Sequence, residues 1–239
     1  MLAQSIRDFE LFVVGDGVPP QSRAFLRKLA RSDRRVRFFD FEKGERKGEH
    51  HRHVALQQAR GGIVAYLGDD DLWMPNHLET LVELLDDVDF GHTAHVGIGG
   101  AAEMFFVLAS LEDASLRARM VNEPANCFDF TFGAHRLEAY RRVAGWAPPP
   151  AEIPWSDLYM WRQFLAEPWC RARTAMVPTA ICTQTHLRPG MSDRERATEL
   201  AALRAAMGEE GYQERLAKQI RASIAERPLA PGEISTRPL

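Results

Sequence analysis

The stretch IVAYLGDDDLW, residues 63–73, decides how this chain is read. Residues 63–67 are nearly continuous in apolar side chains, the pattern of a strand covered on both faces, as in a parallel sheet. Three adjacent aspartates follow. They repel one another, and at the end of a buried strand they are poorly solvated. A divalent cation relieves that cost, and carboxylates are the ligands that Mg²⁺ or Mn²⁺ prefers. In open α/β sheets ligands collect outside the carboxyl ends of strands, where this run falls. The acids would also favour the start of a helix near Pro75 through its dipole, but one or two would serve that purpose. The cation reading is therefore favoured.

Working outward, strands and helices alternate. Residues 9–14 (FELFVV) form a strand ending in the turn Gly15-Asp16-Gly17, and residues 21–30 have helical spacing. Residues 36–41 are a second strand, 53–60 a short helix, and Leu78, Leu81, Val82 and Leu85 line a helix entered at Pro75. Strands are expected near 95–98, 104–108 and 128–132, and a helix over 136–143 closed by Gly145. A helix over 155–165 follows, then strands over 172–177 and 180–185 ending at His186. The pattern over 193–225 is helical and charged, and the last dozen residues read as a frayed tail. The expected division is a domain over 1–190, a helical extension over 191–225 and a flexible tail over 226–239. Strand and helix in turn define an α/β architecture with a mostly parallel sheet flanked by helices.

The chain has 239 residues, 45% hydrophobic and 26% charged, and a net charge of −3, so no global field draws it to nucleic acid or anionic lipid. Three cysteines without CxxC spacing argue against a disulfide framework or a zinc knuckle. No apolar run reaches the roughly 20 residues of a membrane helix, and the first residues lack a signal-peptide layout. The expected setting is the cytoplasm, free or peripheral to the inner membrane.

Several other residues are candidates for chemistry. Asp16 is a turn acid between glycines, or a carboxylate that bonds a nucleoside base or ribose. Asp157 is a first-turn acid on its helix, or a base that removes a proton from an attacking hydroxyl. His50, His51 and His53 flank Arg52; the group faces phosphate or is merely exposed. His186 is a strand-end histidine or a metal ligand. Trp73, Trp146, Trp155 and Trp161 could stack on a sugar ring, but at their spacing most belong in a core.

Together these residues resemble family 2 of the GT-A (Rossmann-like) glycosyltransferases. DFELFVVGDG is similar to that family's strand and acidic turn. Arg52-His53-Val54-Ala55-Leu56-Gln57-Gln58-Ala59-Arg60-Gly61 is similar to its helix R-N-x-x-[IL]-x-x-A-x-G. IVAYLGDDDLWMPNHLETLVELL looks like its strand and acidic motif, and FGAHRLEAYRRVAGW and SDLYMWRQFL look like its later segments. The resemblance covers most of residues 9–186.

It implies an inverting transferase that moves a sugar from a nucleoside diphosphate, UDP- or GDP-linked, to a saccharide or lipid-linked hydroxyl. Asp16 and Arg52 would contact the donor and Asp69 its diphosphate. Asp70, with Asp71 and His186 beside it, would hold Mn²⁺ or Mg²⁺, and Asp157 would be the general base. His53 departs from the usual asparagine, and Gly68 from the aspartate that often begins the acidic motif. The family's opening strand and P-x-[YF]-N loop are also not found ahead of LAQSI; a misplaced start, another segment in that place, or a degenerate copy would each account for this. The alternative function is a non-catalytic binding or assembly protein. An aspartate-nucleophile phosphatase fits less well, because Leu72-Trp73 follows the acids. A nucleotidyltransferase shares the same metal logic.

Overall fold

The computed structural model describes residues 1–239, apart from the side chain of Thr185. The first unit is β1 (Leu11–Asp16), α1 (Pro20–Ser32) and β2 (Val36–Phe41). β1 and β2 pair in parallel from Leu11↔Val36 to Asp16↔Phe41. Pro20 sits in the first turn of α1, where its missing N–H costs nothing. Arg23 and Arg27, one helical turn apart, both reach Asp40 on β2, at 2.9 and 2.8 Å. Gly48, with φ of 70°, starts α2 (Glu49–Leu56), four residues earlier than the sequence pattern indicates.

β3 (Ile63–Ala65) leads through the acidic turn to β4 (Leu72–Trp73) and α3 (His77–Leu84). Then come β5 (Phe90–Thr93), β6 (His95–Ile98), β7 (Met104–Leu108) and α4 (Ala114–Asn122). β8 (Gly133–Arg136), α5 (Leu137–Tyr140), α6 (Ser156–Leu165), β9 (Ala172–Ala175) and β10 (Ala180–Ile181) follow. The chain closes with α7 (Asp193–Met207), α8 (Tyr212–Glu226) and β11 (Ser235–Pro238).

The central sheet has the order β3-β8-β5-β9. Alternation along β5 and β8 divides its two faces. Phe90 turns to one side, where it stacks on Phe164 (5.2 Å) and meets Trp161 (5.1 Å) at a tilt, both on α6. Gly91 turns to the other, where a Cβ would come within 2.8 Å of Leu84 on α3. Each buried aromatic contributes about 1.5–3 kcal/mol. This sandwich fixes where the strand ends and the start of α6 stand relative to one another. A second sheet, β11-β7-β6, packs its Val96, Phe106 and Leu108 against Ile220 of α8.

The class is α/β, as the sequence indicates, but the sheets are small and mixed rather than mostly parallel. Of the seven strand pairings, β1–β2 and β5–β9 are parallel. A continuous apolar run reports cover on both faces, which α3 and α6 supply, and says little about direction. Residues 128–132 are not a strand. Asp129 accepts the N–H of Thr131 at 3.1 Å and tightens Phe130–Phe132 into a 3-10 turn, after which β8 begins.

The tail is not frayed. β11 pairs antiparallel with β7, and buried Arg237 donates to the Ser223 carbonyl (2.5 Å) and the Arg227 carbonyl (2.7 Å) at the end of α8. At the other end of the fold, β1 pairs only with β2 among the described residues, and β3 is an edge strand. The Glu10 carboxylate links the starts of β1 and β3, accepting from Arg60 N (2.8 Å) and Gly61 N (3.1 Å).

Replacing Arg237 by alanine removes its charge-assisted hydrogen bonds to the Ser223 and Arg227 carbonyls and the packing of its buried stem, and is expected to cost roughly 1–3 kcal/mol in urea unfolding. A loss under about 0.5 kcal/mol, the usual value for a surface position, would contradict the role given to β11.

Candidate active site

The acidic turn is closed from within. Gly68 N donates to Thr131 Oγ1 at 3.0 Å, and Asp71 N donates to Gly68 O at 3.3 Å. A Cβ on Gly68 would lie 2.6 Å from Asp71 Oδ2, so a larger residue there would displace the Asp71 carboxylate. The three aspartates consequently differ. Asp69 is exposed, Asp70 half-buried and Asp71 buried. Asp71 accepts the Thr131 hydroxyl on Oδ2 and Thr183 N on Oδ1, the latter at 3.0 Å. The Thr183 hydroxyl donates to the Asp70 carbonyl at 2.9 Å, so the strand end after β10 braces the turn. Burial pushes the Asp71 carboxyl up to about 7, with the charges of Asp129 and Asp70 adding to the effect.

Asp129 enters the same space from the turn before β8. One donor atom each from Asp71, Asp129 and Cys182 lies within 4.8 Å of the other two. Burial, and the charge of Asp70, push Asp129 up, while His186 and Lys47 pull it down. Asp157 approaches from the first turn of α6. It accepts its neighbour Leu158 N at 2.8 Å and Asn126 Nδ2 at 3.1 Å, and burial followed by the charge of Asp129 raises it to about 7. Asn126 Oδ1 is buried with no hydrogen-bond partner. A half-turn of the amide would present it to a protonated Asp157.

Arg52 projects from α2 over the Trp146 ring at 4.4 Å and donates to the Lys47 carbonyl at 3.0 Å, with its Nε unpartnered. Burial lowers its proton affinity, opposed by the charges of Glu49, Tyr66, Asp157 and Asp16. Asp16 ends β1. It pairs with Lys43, accepts Gly44 N at 2.6 Å and lies 3.4 Å from His51 Nε2. Burial alone would raise Asp16, but the Gly44 N–H and Lys43 outweigh it and hold the carboxyl low. His51 stacks on Phe41 at 4.5 Å, and His53 bonds the Tyr140 hydroxyl at 2.9 Å. His186 is exposed in the 3-10 turn Thr185–Leu187, and not at the end of a strand.

Charge interactions link Asp70 to Asp71 and to Asp129, and Asp129 to Asp157 and His186, while Asp69 is exposed. Trp146 and Trp161 are core residues, and Trp155 is the exposed one at 43%. Asp129, Thr131, Asn126 and Cys182 escaped the sequence reading. The available signal was Asp129 itself, since an aspartate often accepts the backbone N–H two residues on, here that of Thr131. The donor set suits a divalent cation: two carboxylates for a hard ion, a thiol that widens the choice, and a tight glycine turn beneath them.

Residues 1–133 match Glycosyl transferase family 2, which is more than half of the chain, and the protein belongs to that family. The uncharacterized glycosyltransferase alr2836 of Nostoc sp. is 29% identical over 166 residues, 66% of this chain and 50% of that protein. The chain therefore spans about half the length of that relative. S. aureus TarS, residues 1–349, superposes with a TM-score of 0.56 at 15% identity, covering 95% of this chain and 66% of that one. Its complex with UDP-GlcNAc gives 0.57 at 17%, covering 94% and 66%. At such identities the likeness is one of fold. Among the described residues no helix is long and apolar enough to cross a membrane.

The raised carboxyl of Asp157 has a consequence for stability. The folded protein keeps this proton to about pH 7, whereas the unfolded chain releases it near 3.8. In the absence of divalent cations, Asp157 therefore makes folding progressively weaker from about pH 4 to about pH 7, with no further change above. Asp157→Asn removes this dependence. Its stability relative to the parent should climb by a few kcal/mol across that window and then level off. A constant difference from pH 4 to 8 would show that Asp157 is already ionised in the fold.

Proposed function

We propose that this chain is an inverting glycosyltransferase that moves a sugar from a nucleoside diphosphate to a hydroxyl acceptor with a divalent cation. The observation that carries the proposal is the close approach of Asp71 and Asp129, each acted on by the charge of Asp70, with Asp157 of α6 acted on by the charge of Asp129. Asp16, at the end of β1, takes the nucleoside, displacing Lys43 or sharing it. Arg52 and Asp69 flank the diphosphate. Asp70 is the first carboxylate to the cation, with Asp71 and His186 beside it. When bound, Mn²⁺ or Mg²⁺ offsets the charge of the departing nucleoside diphosphate.

Asp157 takes the proton of the acceptor hydroxyl, which attacks the anomeric carbon on the face opposite the leaving group. Its raised proton affinity suits it to this work near neutral pH. Leu158 N and Asn126 Nδ2 hold its two oxygens in position. The binding of UDP-GlcNAc by S. aureus TarS supports a nucleoside diphosphate sugar as donor. Three free cysteines are in keeping with a cytoplasmic setting.

A second reading, a binding or assembly protein without transfer activity, draws on the edge positions of β1 and β3 and on the ion pair that Lys43 makes with Asp16. Calorimetry with UDP, with and without Mn²⁺, separates the two. The transferase reading expects Mn²⁺-dependent UDP binding that Asp70→Ala abolishes. Asp157→Asn should retain binding and lose about 10²–10⁴-fold in transfer or donor hydrolysis. Undiminished turnover in Asp157→Asn would remove it from the role of base.

A further inference from the structure

Trp146 is a buried core residue, yet the half-buried Arg52 guanidinium of α2 lies over its ring at 4.4 Å. Hydrogen bonds fix that ring from two sides. Trp146 Nε1 donates to the Tyr66 hydroxyl at 2.9 Å, and Trp146 N donates to the Tyr140 hydroxyl at 3.2 Å. The Tyr66 hydroxyl bonds His135 Nε2 at 2.6 Å, and His135 Nδ1 bonds the Arg136 carbonyl at 3.0 Å. An indole N–H can only donate and a carbonyl can only accept, so this chain has one polarity. It runs from Trp146 through Tyr66 to a neutral His135 protonated on Nδ1. Burial pulls the His135 imidazole down to about 4, which keeps the polarity unchanged at neutral pH.

The backbone ahead of the ring is held as firmly. The Gln163 side chain accepts Gly145 N at 2.9 Å and donates to Gly145 O at 3.0 Å. Gly145 has φ of 83°, and a Cβ there would lie 2.5 Å from His53 Nδ1. The Tyr140 hydroxyl that accepts Trp146 N also bonds His53 Nδ1, so the residue next to Arg52 on α2 is tied to the same loop.

This seat adjoins both segments that carry the acids. Tyr66 directly follows β3 and stands two residues ahead of Gly68 in the acidic turn. Arg52 also lies 5.9 Å over the ring of Phe130, between Asp129 and Thr131. Its Nε is buried with no hydrogen-bond partner, although Nη1 bonds the Lys47 carbonyl. An aromatic face attracts a cation without neutralising it. A guanidinium held flat in this way keeps its in-plane N–H groups for an anion such as a phosphate.

We propose that Trp146 is a positioning residue for donor binding: its ring holds Arg52 in place for the donor diphosphate, and Tyr66, by fixing the ring, ties that arginine to the acidic turn. This rests on the reading of Arg52 as a diphosphate contact and adds what orients it.

A double-mutant cycle on UDP affinity, read by calorimetry with Mn²⁺, tests this. Trp146→Leu should weaken UDP binding by about five- to thirtyfold in the unmutated background and by less than about twofold in Arg52→Ala. Tyr66→Phe should show the same dependence on Arg52 with a smaller loss, about two- to tenfold. Uridine, which lacks the diphosphate, should bind Trp146→Leu and the unmutated chain alike, an outcome that loosened packing would not give. Arg52→Lys leaves the core intact and keeps the charge but cannot stack as a plane, so it should lose UDP affinity nearly as far as Arg52→Ala. Additive losses in the cycle, equal losses of UDP and uridine, or unchanged UDP affinity in Arg52→Lys would each overturn the proposal. Those outcomes spare the donor reading. Failure of the unmutated chain to bind UDP counts against that reading instead, and the same cycle on inorganic pyrophosphate without Mn²⁺ then judges the pair alone: a coupled loss upholds it, and additive losses or no binding overturn it.

Discussion

One threonine holds two acids that would otherwise drive each other apart. Thr131 donates its hydroxyl to Asp71 and its N–H to Asp129, and accepts Gly68 N on the same hydroxyl oxygen. Two carboxylates largely removed from water cannot both stay charged at low cost, so they keep a proton or share a cation. The site's electrostatics follow from that confinement. Asp129 in turn raises Asp157, so the acid cluster and the α6 carboxylate behave as one charge system.

The rest of the fold serves to bring those groups to one point. β3 ends at the acidic turn, the antiparallel entry of β8 places Asp129 just ahead of it, and the α6 aromatics stacked on Phe90 locate Asp157. β10 joins both sides of this arrangement. It pairs with β4 directly after the aspartates, and its extension through Cys182 joins β6, so Thr183 reaches Asp71 from a braced strand end. A displacement of β10 would therefore disturb the turn without touching its sequence.

Much of this was legible in the residues. The bounds of β2, β6 and β7 coincide with the apolar patterns at 36–41, 95–98 and 104–108, because those patterns report burial directly. The acidic turn was legible because three charges after an apolar strand have few inexpensive explanations. Asp129 was not. Residues 128–132 alternate aromatic and polar residues like a strand, and only the Asp129–Thr131 bond reveals a turn. Strand direction was hidden because burial on both faces does not encode it. The tail was misread since Ser, Thr, Arg and Pro look unstructured, whereas the Arg237 stem is buried and its guanidinium satisfies carbonyls at the end of α8.

The divalent ion proposed for the turn where β3 gives out can be located by crystallography. Anomalous diffraction at the manganese edge, from crystals grown with Mn²⁺ and UDP, should show a peak among Asp70, Asp71 and Asp129. Clear density for UDP with no anomalous peak beside those carboxylates would contradict the account.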